Sequence, residues 1–211
     1  MPIRNLYSLK NKVALVTGAT GYLGQSMAEG LAMAGATVYI NGRTESKVIK
    51  LTEHLNAKGY KTHPAIFDVT NYKKVEEFFA NFCEKTLDIL VINAYNGNGG
   101  TSATATLEEF RGSYEISMVA SHNLLQNALF YLKEAKKLNG DASVINIASM
   151  YGMVSPDISI YESELTSNPP FYGAAKAALI QWTKYTACEF AKFGVRVNAI
   201  SPGPFPPISV K

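Results

Sequence analysis

Residues 12–35 constrain the fold more than any other stretch of this chain. Residues 12–17 form a short β-branched and apolar run, a candidate buried strand. It passes directly into Gly18-Ala19-Thr20-Gly21-Tyr22-Leu23-Gly24, and a helical pattern over residues 25–34 follows, closed by Gly35. A glycine motif gains meaning from that order of strand, turn and helix. The glycines let the backbone turn tightly and approach a pyrophosphate. The helix start behind them offers unpaired N–H groups and the positive end of a dipole. Gly18, Thr20, Gly21, Tyr22, Leu23 and Gly24 are therefore candidate dinucleotide-binding residues.

The alternation continues along the chain. Strands are predicted at residues 37–41, 63–67, 87–92, 142–148 and 195–200, with helices at 44–58, 71–85, 107–137 and 172–193. Strands separated by helices of this length imply a parallel sheet. The predicted fold is α/β, a doubly wound Rossmann-type sheet in the order 3-2-1-4-5-6. No linker or repeat divides residues 1–211, so one domain is expected to carry both dinucleotide binding and catalysis. Ligands of such sheets bind at the carboxyl ends of the strands. Asp68 stands at the end of the third strand, Ser149 at the tip of the fifth, and the small, polar loop from Asn93 to Gly100 follows the fourth. The second strand ends Asn41-Gly42-Arg43, without the acid that accepts hydrogen bonds from an adenine ribose in NAD-binding folds. A guanidinium at that point suits a 2′-phosphate. NADP(H) is thus expected in preference to NAD(H), with Arg43 as the phosphate reader.

Tyr172-Gly173-Ala174-Ala175-Lys176 opens the last predicted helix. Residues four apart share a helical face, so phenol and ammonium project together. A free phenol is too weak an acid for proton transfer at neutral pH, and a fixed positive charge beside it favours the phenolate. Of the twelve tyrosines, only Tyr172 has a lysine four residues on.

Composition sets the outer bounds. Hydrophobic residues make up 47% and charged residues 18% of 211, as in globular chains. The net charge of +3 is scattered, which disfavours nucleic acid. Three histidines lack close ligand pairing, and no metal site is expected. Cys83 and Cys188 read as buried thiols of a reducing compartment. No apolar run reaches the ~20 residues of a membrane span, and residues 1–12 lack the core of a signal peptide. A soluble, cytoplasmic protein is expected.

Together these pieces resemble the short-chain dehydrogenase/reductase family over residues 11–205. The carriers are Thr17-Gly18 through Gly24, Asp68-Val69, Asn93-Ala94, Ile145-Asn146-Ile147-Ala148-Ser149, Tyr172 with Lys176, and Arg196-Val197-Asn198 before Ser201-Pro202-Gly203. The resemblance implies that Ser149, Tyr172 and Lys176 are catalytic and that Lys176 also holds the nicotinamide ribose. It implies a cofactor site lined by the glycine turn, Asp68, Val69, Asn93, Ala94, Tyr95, Pro202 and Gly203. A homo-oligomer acting on a small molecule follows from the same likeness.

Several positions depart from the family pattern. Tyr22 replaces a glycine of the common dehydrogenase branch, and the Gly18, Gly21, Gly24 spacing resembles the branch that works on nucleotide sugars. Tyr95 replaces the glycine usual after Asn93-Ala94. Ser117 aligns with the family's helix-borne asparagine, where its shorter side chain reaches a proton relay only through an added water. The segment between Ser149 and Tyr172 is long and rich in Ser155, Asp157, Ser159, Tyr161, Glu162, Ser163, Glu164, Thr166, Ser167 and Asn168, which suits a polyhydroxylated substrate. Asn168-Pro169-Pro170-Phe171-Tyr172 and Ser201-Pro202-Gly203-Pro204-Phe205-Pro206 resemble dehydrogenases of bacterial surface-sugar and flagellin-glycan synthesis. Members normally continue to a seventh strand, so the final strand is missing and the natural protein is expected to extend beyond Lys211. Three functions stand open at this point: an NAD(P)-dependent oxidoreductase of a sugar-like carbonyl or alcohol, a nucleotide-sugar epimerase or dehydratase, and a non-catalytic NADP(H) sensor.

Overall fold

A computed structural model describes residues 7–163 and 166–205; Glu164 and the tail from Pro206 lie outside the described residues. Six parallel strands form one sheet: β1 (Val13–Val16), β2 (Thr37–Gly42), β3 (Lys61–Ile66), β4 (Ile89–Ile92), β5 (Ala142–Ile147) and β6 (Val195–Ile200). Their order is β3-β2-β1-β4-β5-β6, as the alternation predicts. The helices are α1 (Tyr22–Met33), α2 (Glu45–Ala57), α3 (Tyr72–Ala80), α4 (Leu107–Tyr114), α5 (Ala120–Asn139) and α6 (Pro170–Phe190). None of the described helices is long and apolar enough to cross a membrane.

Period-2 alternation in β1 builds both sides of the core. Val13 and Leu15 face a cluster with Phe79 of α3, Leu124 and Leu132 of α5, and Phe190 of α6. Ala14 and Val16 face a second cluster with Ala28 of α1 and Val48 and Leu55 of α2. Burial on both faces is what a parallel sheet requires, and it explains why β1 and β4 read as unbroken apolar runs.

Several boundaries differ from the sequence reading. Helix α1 begins at Tyr22 rather than residue 25, so Gly24 lies inside its first turn. Helix α3 ends at Ala80, five residues early. Helix α6 begins at Pro170, a residue that lacks an N–H and suits a helix start, with Pro169 as its N-cap. The long predicted helix is divided by a π-helical turn, Glu115–Val119, between α4 and α5. The side chain of Glu115 in that turn accepts a hydrogen bond from the Tyr72 hydroxyl of α3. Both cysteines, expected to be buried, are exposed.

Candidate active site

The strand order reverses between β1 and β4, and the site opens beyond their carboxyl ends. Gly18 follows β1 with φ +60°, a left-handed conformation that glycine adopts without strain. A side chain on Gly24 would place its Cβ 2.2 Å from the Gly18 carbonyl oxygen. Only two glycines can make this turn so tight. Its shape is then fixed by side chains from three strands. Thr17 Oγ1 accepts from the backbone N–H of Asn93 at 2.9 Å and of Ala94 at 3.1 Å. The Asn93 amide donates to the carbonyls of Thr17 and Gly18 at 3.0 and 3.2 Å. Asn41 Oδ1 accepts from the Gly18 N–H at 3.3 Å, while its amide donates to the Ala65 and Phe67 carbonyls.

A cavity of about 510 Å³ lies over this turn. It is bounded by Gly18 and Thr20 to Gly24, by Asn41 to Thr44 with Lys47, by Phe67, Asp68 and Val69, and by Asn93 to Asn96 with Ile116. Every cofactor residue foreseen up to Tyr95 therefore borders one space. Arg43 stands at the β2 end of it, its guanidinium 4.0 Å from the Asp68 carboxylate. Asp68 in turn accepts from the Thr70 N–H and hydroxyl at 2.9 and 2.7 Å. Thr17, Asn41, Thr44, Lys47 and Ile116 escaped the sequence reading. Lys47 could have been found there, a cation in the first turn of the helix that follows Arg43.

A second cavity of about 190 Å³ adjoins the first and shares Leu23, Asn93 and Tyr95 with it. Its other walls are Ile147, Ala148, Ser149, Tyr172, Lys176, Pro202, Gly203 and Phe205. Ser149, Tyr172 and Lys176 thus meet in one space, together with the predicted Pro202 and Gly203. Two glycines make the meeting possible. A Cβ on Gly152 would come within 2.8 Å of the Lys176 carbonyl carbon, and one on Gly173 within 2.7 Å of the Tyr151 oxygen. The short turn after β5 therefore lies directly on α6 and brings Ser149 beside it.

The local chemistry is asymmetric. Ser149 is 6% exposed, and its Oγ accepts from the Tyr151 N–H at 3.2 Å, which leaves the hydroxyl proton to point elsewhere. Lys176 is 3% exposed and donates to the Ile147 carbonyl at 2.7 Å. Its ammonium sits 5.7 Å from the Tyr172 ring centre and 5.2 Å from that of Tyr95. Burial holds the ammonium's pKa down to about 8. Ser117 behaves differently. It lies in the π-helical turn, 2% exposed, its hydroxyl without a hydrogen-bond partner, and it borders neither cavity.

None of the described residues between 150 and 171 lines either cavity. Several of their polar groups answer one another instead. Asp157 caps Ser159, the Tyr151 and Tyr161 hydroxyls lie 3.0 Å apart, and Ser163 pairs with Thr166. Ser167 donates its hydroxyl to the Gly100 carbonyl at 2.9 Å and accepts from the Gly100 N–H at 3.2 Å, tying this segment to the loop after β4. Asn168 Oδ1 is buried without a partner.

Comparison with known proteins agrees with this geometry. Residues 12–207 match the family described as short chain dehydrogenase. A tropinone reductase homolog of Datura stramonium is 32% identical over 200 residues, 93% of this chain and 69% of that protein. Gluconate 5-dehydrogenase of Gluconobacter oxydans is 32% identical over 209 residues, 95% of this chain and 74% of that protein. The crystal structure of a gluconate 5-dehydrogenase from Burkholderia cenocepacia, in complex with NADP and tartrate, superposes with a TM-score of 0.82 at 26% identity, covering 97% of this chain and 75% of that one. By a match running from the first strand to the tail, the chain belongs to the short-chain dehydrogenase family.

Proposed function

We propose that this chain is an NADP(H)-preferring oxidoreductase that interconverts a carbonyl and a secondary alcohol on a sugar-like substrate. One observation carries the reading: Ser149, Tyr172 and Lys176 line a small cavity that opens into the larger one over the glycine turn. The larger cavity fits a dinucleotide. The turn is too tight for a side chain at Gly24, the first residues of α1 line the cavity, and Arg43 and Lys47 supply cations at its β2 end. When bound, the nicotinamide supplies or accepts the hydride.

The chain's own residues handle orientation and the proton. The Ser149 hydroxyl accepts from the Tyr151 N–H through one lone pair and turns its proton to the substrate oxygen. Tyr172 gives a proton to that oxygen in reduction and takes one in oxidation. Lys176, anchored on the Ile147 carbonyl, keeps a positive charge beside the phenol. The gluconate 5-dehydrogenases support a polyhydroxylated substrate. The insert between β5 and α6 adds no such support, because none of its described residues lines either cavity. The exposed stripe of Leu107, Phe110 and Tyr114 on α4 supports self-association.

Tyr172→Phe tests the assignment. Turnover of NADPH with 5-keto-D-gluconate should fall by ~10²-fold or more, with NADPH affinity nearly unchanged. Normal turnover in that variant would sink it.

A further inference from the structure

Tyr95 stands where the family pattern has glycine, and its ring is held from four sides. It makes a T-shaped contact with Tyr172, ring centres 4.8 Å apart at 68°. The Lys176 ammonium lies over it at 5.2 Å. Its hydroxyl is 3.2 Å from Ser113 Oγ. Ser113 gives its single hydroxyl proton to the Phe171 carbonyl at 3.1 Å, so Tyr95 is the donor in that pair. Burial pushes the Tyr95 hydroxyl above the ordinary tyrosine range and keeps it a phenol. On the fourth side the backbone passes at Gly97, where a Cβ would come within 2.6 Å of the Tyr95 oxygen.

Lys176 needs such a neighbour. Among the described residues no carboxylate forms an ion pair with it. The groups that face it are the Ile147 carbonyl at the end of β5, Tyr172 on its own helix and Tyr95 from the loop after β4. A buried ammonium without a counter-ion is stabilised by the negative face of an aromatic ring within about 6 Å.

We infer that Tyr95 is a positioning residue, whose ring holds the Lys176 ammonium charged and fixes the Tyr172 ring beside it. The inference rests on the acid–base roles of Tyr172 and Lys176 proposed above. A merely structural Tyr95 would leave the titration of Lys176 where it is. A ring that simply excludes water would, once removed, let the titration rise. Loss of an attractive ring face lowers it.

The test follows the Lys176 titration by ¹³Cε NMR of lysine-labelled protein, with Lys176→Met assigning the resonance. Tyr95→Phe keeps the ring and should titrate as wild type. Tyr95→Leu and Tyr95→Met, two replacements of different shape so that one folding failure is not fatal, should lower the midpoint by about half to one pH unit. In both, kcat for reduction of 5-keto-D-gluconate should drop ~10-fold while the NADPH Kd changes less than about threefold. A midpoint that stays put or rises in the folded replacement overturns the inference. Wild-type turnover in Tyr172→Phe would instead remove the acid–base reading, and the two failures are told apart because the titration needs no substrate.

Discussion

The larger cavity lies over a turn whose shape the main chain sets. Gly18, Gly21 and Gly24 present no side chain, and Thr17, Asn41 and Asn93 direct theirs at backbone groups that hold the turn. The smaller cavity instead gathers reactive side chains. Ser149, Tyr172, Lys176 and Tyr95 come from three separate segments, and two glycines let the Ser149 segment lie against α6. A backbone-built site depends on whether the chain can turn, and a side-chain site depends on how each group is held. The first should break all at once when its shape is altered. The second should lose function by degrees, with each group separable.

Gly24→Val is the largest expected effect. With the Gly18 oxygen 2.2 Å from any Cβ, the turn must open. NADPH binding, read by fluorescence titration, should become undetectable. Retention within about tenfold would show that the cradle is not what holds the cofactor.

Lys176→Met separates chemistry from stability in the other cavity. The ammonium titrates near 8 instead of the ordinary 10.5, so the folded state disfavours its charge. That penalty, on the order of 3 kcal/mol, is full below pH 8, shrinks as pH rises from about 8 to 10.5 and is absent above. The Ile147 carbonyl losing its donor offsets about 1 kcal/mol. Lys176→Met should therefore be inactive yet more stable than wild type by about 2 kcal/mol at pH 7, the gap closing toward pH 10.5. Denaturant melts at several pH values check this, and a less stable variant at pH 7 would contradict it.

Arg43→Ala should weaken NADPH by roughly tenfold to a hundredfold and NADH little, as loss of a charged contact does. Equal losses would mean that Lys47 or Thr44 reads the phosphate instead. The smallest expected effect is at Glu162, exposed on the insert: Glu162→Ala should leave KM for 5-keto-D-gluconate within about twofold. A larger rise would return the insert to the substrate site.

The same contrast explains what the chain disclosed before its structure. The sheet order and the glycine turn were legible because each depends on local pattern: apolar runs, glycine spacing, a helix start. Tyr172 and Lys176 were legible because four residues on a helix is also a local relation. Tyr95 was foreseen as a cofactor neighbour, but not its grip on Lys176 and Tyr172, which arises from packing between β4's loop and α6. The π-helical turn at Ser117 left no local mark, since Glu115–Val119 has the composition of any helix. The insert misled by composition: many hydroxyls suggested a wet lining, and only their partners reveal closed turns.

The paired bonds between Gly100 and Ser167 have a kinetic meaning. The loop after β4 leads back to Tyr95, and the insert leads on to Tyr172. Lifting either one alone would break both bonds, so opening of one segment is tied to opening of the other. Amide hydrogen exchange at Gly100 should accordingly report the opening of both, and substitution at Ser167 should loosen a segment nearly seventy residues away in sequence.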